Sequence, residues 1–303
     1  MPSSSPSPES LQSGKSLPAG PVSFSQAEPI DIRGLRIGCG RPAIIVPTTA
    51  DHVAGLLDEI ERIRNEPAAD LIEWRIDYLT EPLGTADLGP LCERVRRHAG
   101  NKPVLLTFRT AAEGGARAIS DKDYAQLYLD LIEAGGMDLI DIEMFRDAET
   151  VRSLTEAAHA KGIKVVMSSH DFHGTPAAME IVTRLRTQDA CGADILKIAV
   201  MPRHTGDVLE LLQAARTVRG EYSAKPMLVM SMGGLGAITR LAGEVFGSDL
   251  SFGSLGTASA PGQIEVASMR QVLDIVHQSM QGIERDPDIR SDSADGPRDA
   301  GQA

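Results

Sequence analysis

The sequence predicts an α/β fold: a (β/α)8 TIM barrel of parallel strands, with an N-terminal β-hairpin closing the barrel floor. Three observations predict it. Short runs rich in β-branched and apolar residues alternate eight times with longer amphipathic stretches. The short runs are apolar almost throughout rather than at every second position, as expected of strands covered on both faces. The portion with enough apolar content to fold, 29–283, is close to the ~250 residues an eightfold barrel typically uses. An open, doubly wound sheet shares the alternation and is the competing architecture.

In order, the strand-like runs are AIIVP (43–47), DLIEWRI (70–76), PVLLTF (103–108), MDLIDIE (137–143), IKVVMSS (163–169), DILKIAV (194–200), PMLVMSM (226–232) and LSFGS (250–254). Helical periodicity follows in HVAGLLDEIERI, SDKDYAQLYLDLIEAG, DAETVRSLTEAAHA, TPAAMEIVTRLRTQ, GDVLELLQAARTV and IEVASMRQVLDIVHQSM. Thr175 ahead of Pro176 predicts an N-cap and a first-turn proline, while Gly135 and Gly162 predict C-terminal caps. IDIRGLRIGCGR (30–41) fits the floor hairpin. Residues 1–28 and 284–303 are polar and rich in Ser, Pro or Gly, which predicts disordered tails around one catalytic domain.

Composition narrows the function. With 42% hydrophobic and 24% charged residues, the 303-residue chain can bury a large core. A formal net charge of −12 disfavours nucleic acid or an anionic membrane as partner. A small anionic substrate stays compatible, because a few arginines can focus a positive field in one cleft. Cys39, Cys92 and Cys191 are odd in number and widely spaced, so they suggest neither a disulfide framework nor a metal site. Reduced thiols in a cytoplasmic protein are the expectation. No apolar run approaches the ~20 residues needed to span a bilayer, and the N-terminus lacks a signal-like apolar stretch.

Catalytic groups of such barrels gather at the C-terminal ends of the strands. Here those positions carry polar side chains in run after run. Glu73, Arg75 and Asp77 share one face by their spacing of two; Arg109 is followed by Glu113; then come Asp141 and Glu143, His170, Lys197, Arg240, and Ser259 with Gln263. Each has a plainer reading. Glu73, Arg75, Asp141 and Glu143 could form a structural ion-pair layer, His170 could be a satisfied loop histidine, and Arg109 could cap a strand end. Ser259 and Gln263 could be ordinary turn residues. GGLGAI (233–238) follows a strand as a dinucleotide fingerprint would, but lacks its third glycine.

Lys197 resists a plain reading because apolar residues flank it, where lysine is rarely buried without a partner or task. Desolvation and neighbouring cations favour the neutral, nucleophilic amine. Arg75, Arg109 and Arg240 would push that way; Asp141 and Glu143 would oppose. A lysine on the sixth run with a histidine on the fifth suggests Schiff-base chemistry on a ketone. The alternative is a structural pair between Lys197 and Glu143.

The segments IEWRIDYL, LLTFRTAAEGG, DLIDIE, SSHDFHGTPA, GADILKIAVMP, MSMGGLGAITRLAGEVFGSDLSFG and ASAPGQI resemble those of type I 3-dehydroquinate dehydratases, in the same order, over about residues 42 to 279. The resemblance implies a (β/α)8 homodimer without metal or organic cofactor that dehydrates 3-dehydroquinate to 3-dehydroshikimate in the shikimate pathway. It implies Lys197 as the imine-forming lysine, His170 as the proton-transfer group and Glu113 as the acid that positions it. It assigns Glu73, Trp74, Arg75 and Arg109 to the substrate hydroxyls and ring, Arg240 to the substrate carboxylate, and Ser259 and Gln263 to a closing loop. Met230, Met232 and Phe252 would form an apolar wall. Two places depart from the family pattern: Thr48 where many members have Ser, and Gly233-Gly234-Leu235 where some carry Ser and Lys. The rival functions are a class I aldolase acting on sugar phosphates and an inactive barrel kept as a scaffold. Intact Glu113, His170 and Lys197 argue against the scaffold.

Overall fold

The computed structural model describes residues 27–81, 84–256 and 259–285. Eight parallel strands match the eight runs: β3 (Ala43–Pro47), β4 (Leu71–Arg75), β5 (Val104–Thr107), β6 (Leu139–Glu143), β7 (Lys164–Asp171), β8 (Ile195–Val200), β9 (Met227–Ser231) and β10 (Leu250–Ser254). They are preceded by an antiparallel hairpin, β1 (Ile30–Ile32) and β2 (Leu35–Ile37). The sheet runs β10-β3-β4-β5-β6-β7-β8-β9, and a two-residue strand that the sequence did not suggest, β11 (Ile264–Glu265), pairs in parallel with β10. At the β9–β10 seam one main-chain bond and two to side chains stand in place of a ladder. Asp249 N–H donates to Met227 O (2.7 Å), Met227 N–H to Asp249 Oδ2 (2.8 Å) and Val229 N–H to Ser248 Oγ (3.0 Å).

The helices are α1 (Val53–Asn65), α2 (Thr85–Ala99), α3 (Asp121–Ala134), α4 (Ala148–Ala160), α5 (Ala178–Ala190), α6 (Thr205–Glu221), α7 (Ala237–Leu241), α8 (Gly243–Phe246) and α9 (Val266–Arg285). Helix α2 is hidden in the sequence by Pro90 and its many polar residues, yet Leu88, Leu91, Cys92, Val95 and Ala99 recur at helical spacing and are buried. The expected cap at Thr175 is not formed. Helix α5 starts at Ala178 with Ala177 before it, and the Thr175 hydroxyl donates instead to Met201 O (3.2 Å), tying two loops together. Gly135 and Gly162 do follow the ends of α3 and α4, each with positive φ. Ala27 is buried and Glu28 N–H donates to Ala224 O (2.6 Å); residues 1–26 and 286–303, on which the expected tails fall, lie outside the described residues.

Period-two alternation splits the strand side chains into two cores. Ile44, Val46, Ile72, Trp74 and Leu106 face the helices, whereas Ile45, Leu71, Leu105, Leu139, Val166, Ile195, Leu228 and Leu250 fill the barrel. Ile32 and Ile37 of the hairpin join the inner cluster, so the hairpin closes the floor as expected. Two residues further along the strands the interior turns polar, with Glu73, Thr107, Asp141, Ser168 and Lys197 all buried. The apolar floor thus supports a charged layer beneath the open end. Leu105→Ala should cost about 2–5 kcal/mol in denaturant unfolding, because its cavity lies where β-strands from all sides limit collapse; a loss below about 1 kcal/mol would show that the floor is not a packed layer.

Candidate active site

A cleft open to solvent sits at the C-terminal ends of the barrel strands. Lys197 is only 3% exposed at its base, and its Nζ donates to Asp141 Oδ2 (2.7 Å) and lies 4.9 Å from the centre of the Phe252 ring. Its partner is therefore Asp141, not Glu143. Asp141 Oδ1 accepts from Ser168 Oγ (2.5 Å) and lies 2.8 Å from Arg109 Nη2, an ion contact without hydrogen-bond alignment. Burial opposes charge on Asp141, but Arg109 and Lys197 outweigh it and hold the carboxyl well below the usual carboxylate range. Burial likewise opposes charge on Arg109, which Asp141, Glu143 and Glu113 more than offset.

Glu143 is held elsewhere, accepting from Arg109 Nη1 (3.0 Å) and from both Thr110 N–H (2.9 Å) and Thr110 Oγ1 (2.8 Å). Arg109 thus spans two carboxylates, while its own N–H donates to Asp77 (3.2 Å). Asp77 also takes Arg75 in a bidentate pair, with both contacts at 2.7 Å. Glu73 accepts from Thr107 Oγ1 (2.9 Å) and reaches the cleft lining together with Arg75 and Arg109.

His170 stands at the end of β7. Its Nδ1 lies 2.7 Å from Glu113 Oε2, and its N–H donates to the same oxygen (3.1 Å). Anchoring Nδ1 leaves Nε2 as the ring nitrogen free to work. Burial, then the Arg109 and Lys197 cations, hold the imidazole well below its ordinary value of 6.5. Burial also pushes Glu113 up to about 8, with Arg109 opposing and Glu143 and Asp141 adding to the rise. Burial thus disfavours charge on both partners. Glu113 comes from a short helical turn whose next residues must be glycine. A Cβ on Gly114 would lie 2.2 Å from the Phe172 ring, and one on Gly115 would lie 1.9 Å from Arg109 O.

Arg240 is 1% exposed and, among the described residues, pairs with no carboxylate. Its contacts are weak: Nη1 at 3.5 Å from Met230 Sδ and 3.4 Å from Phe252 O, and Nη2 at 3.3 Å from Pro261 O, with Nε unpartnered. Burial alone pulls its guanidinium down to about 10. A buried planar fork without an anion has the donor geometry that a carboxylate would satisfy. Ser259 and Gln263 clasp each other across the rim, with Ser259 N–H donating to Gln263 Oε1 (2.8 Å) and Gln263 Nε2 to Ser259 Oγ (3.1 Å). Among the described residues no three His, Cys, Asp or Glu side chains converge as a metal-holding group.

A sequence model of the family described as Type I 3-dehydroquinase matches residues 44–280. The 3-dehydroquinate dehydratase of Syntrophotalea carbinolica is 44% identical over 248 residues, covering 82% of this chain and 98% of that relative. That of Bacillus licheniformis is 43% identical over 254 residues, 83% and 98% of the two chains. The crystal structure of type I 3-dehydroquinate dehydratase from Clostridium difficile, with covalently modified comenic acid, superposes with a TM-score of 0.80 at 38% identity, covering 84% of this chain and 99% of that one. The chain belongs to the type I 3-dehydroquinase family.

Against the residues expected of a type I 3-dehydroquinase, the barrel brings Glu73, Arg75, Arg109, Glu113, His170, Lys197, Arg240, Ser259 and Gln263 to one cleft, with Met230, Met232 and Phe252 beside them. Trp74 is the exception. Between two inward residues, its side chain points outward into the helix-facing core, so it cannot touch a substrate in the cleft. Thr48 is also outside the lining; its hydroxyl accepts from Arg75 N–H (3.1 Å) and braces the strand. Asp141, which was singled out only as a charge near Lys197 and which holds its amine, Ser168, which donates to Asp141, and Phe172, which lines the rim, were not expected as site residues. The alternation in LIDIE and VVMSSH places the first two inward, and Phe172 lies in the SHDF motif. In the loop at 233–236, Gly233 N–H donates to Pro261 O (3.1 Å) and Gly236 N–H to Gly233 O (3.2 Å), so these amides are not free to cradle a phosphate.

Because burial and the two cations keep the imidazole neutral, the acid limb of kcat/KM against pH should fall below 6.5, the ordinary histidine value. A limb at or above 6.5 in a pH–rate series would contradict the neutral resting imidazole.

Proposed function

We propose that this type I 3-dehydroquinase removes water from 3-dehydroquinate, giving 3-dehydroshikimate, through an imine on Lys197. The observation that carries the reading is the buried amine of Lys197, which opens on the same cleft as the Nδ1-anchored His170 and the anion-free Arg240. The amine nitrogen adds to the substrate ketone, and the carbinolamine loses water to give a protonated imine. That imine accepts the electron pair released when His170 takes the proton from the adjacent carbon, so a neutral enamine forms in place of a carbanion. The enamine expels the hydroxyl on the next carbon, which leaves as water with the proton from His170. Water then hydrolyses the conjugated imine, freeing product and amine.

Asp141 has a matching role before the first bond forms. It fixes the position of Nζ at 2.7 Å, while Arg109 keeps that carboxylate ionised. Glu73, Arg75 and Arg109 are positioned for the ring hydroxyls, Arg240 for the carboxylate, and Ser259 and Gln263 for closing the rim. The pathway assignment follows from the reaction: the shikimate route contains this dehydration.

We extend the proposal to a cytoplasmic homodimer. Among the described residues no helix is long and apolar enough to cross a membrane. Helix α7 packs on α9, and both leave large apolar side chains exposed, Ile238 and Ile275, of the kind a second copy would cover.

The enone absorbance of dehydroshikimate gives the test. The parent protein should convert dehydroquinate, Lys197→Ala should lose nearly all turnover, and Arg240→Ala should raise KM at least about tenfold, equivalent to about 1.4 kcal/mol of binding. Parent-like turnover by Lys197→Ala, or an unchanged KM for Arg240→Ala, would overturn the corresponding role.

A further inference from the structure

The inward stripe of α5 is made of Ile181, Val182, Leu185 and Gln188. Three are apolar; the fourth is a primary amide, fully buried at the position where the helical period calls for another aliphatic residue. Burying an amide among apolar neighbours is costly unless its donors and acceptor are satisfied. Gln188 satisfies them on the main chain of one residue. Lys197 N–H donates to Gln188 Oε1 (2.9 Å), and Gln188 Nε2 donates to Lys197 O (2.8 Å), with a longer contact to Met144 Sδ at 3.4 Å. The amide orientation is fixed by these partners, since the main-chain donor must meet the oxygen and the main-chain acceptor the nitrogen.

We propose that Gln188 is a positioning residue for Lys197: a side chain on the outer helix that clamps both main-chain polar groups of the lysine and so fixes where its amine enters the cleft. The idea rests on Lys197 being the nucleophile. The lysine is then located at both ends, by Gln188 at the backbone and by Asp141 at Nζ. The stem between those points is a flexible four-carbon chain. β7 and β9 hold Lys197 in register from either side, so losing the clamp loosens rather than frees its main chain; even so, a misplacement of about 1 Å at a reacting atom can cost about a hundredfold in rate. Substrate capture by Arg240 and the ring-hydroxyl groups lies on other elements and does not pass through this clamp.

The test compares the full-length parent, Gln188→Met and Leu154→Ala. Met nearly preserves the volume of Gln but holds neither bond; Leu154 is a buried residue of α4 that takes no part in the clamp, so its truncation provides a loss of stability with the clamp intact. Each is followed by steady-state turnover, by the rate of borohydride trapping with dehydroquinate, and by thermal unfolding. The expected result is a fall in kcat and in trapping rate of at least about tenfold for Gln188→Met, KM within about twofold, and near-parent values for Leu154→Ala. Trapping by Gln188→Met at the parent rate, or equal losses in both variants, would overturn the clamp. Should Gln188→Met not fold, Gln188→Glu decides. A protonated carboxyl can donate and accept as the amide does, whereas the ionised form cannot donate to Lys197 O. Its trapping rate relative to the parent should fall as pH rises from 5.5 to 9, and a constant ratio would count against the proposal. If the parent itself traps no adduct on Lys197, the reading of Lys197 fails; if the parent traps and Gln188→Met matches it, only the clamp fails.

Discussion

The site depends on one fully buried carboxylate. Asp141 sits between Lys197, Ser168 and Arg109, and it can remain ionised only because two cations face it. Breaking a buried pair by removing one partner costs about 3–5 kcal/mol, so these groups stand or fall together. Arg109 links Asp141 to Glu143, and through its main chain to Asp77, which in turn holds Arg75. The charged layer is therefore a single connected network rather than a set of separate pairs, and its rigidity is what gives the lysine a fixed address.

Within that network the groups differ in whether their charges are met. The carboxylates and most of the cations are paired. Arg240 is not, and burial disfavours charge on both Glu113 and His170. These match the two requirements of the proposed reaction: an unmet cation for an anionic substrate and a neutral imidazole for a carbon-bound proton. The Ser259–Gln263 clasp and Phe172 line the rim above them.

Most of this arrangement is legible in the sequence. The eight apolar runs give the strands directly, since a strand buried on both faces leaves few other readings of AIIVP or VLLTF. Polar residues breaking those runs at every second position mark the interior layer. Legibility fails where a residue's partner is remote. Nothing local says that Lys197 meets Asp141 rather than Glu143, because both face inward and only barrel closure brings one within 2.7 Å. Trp74 was misassigned for the converse reason: it adjoins two site residues in sequence, but alternation sends its ring to the other core. Helix α2 is masked by Pro90, and the β9–β10 seam depends on the Ser248 and Asp249 side chains, which no pattern of hydrophobicity records.

The central claim is that one amine bonds covalently to the substrate while one arginine holds the carboxylate. A crystal structure of the borohydride-reduced complex with dehydroquinate measures both at once. The account predicts continuous density from Lys197 Nζ to the former ketone carbon, with the ligand carboxylate on the Arg240 guanidinium. An adduct on another residue, or a carboxylate bound away from Arg240, would contradict it.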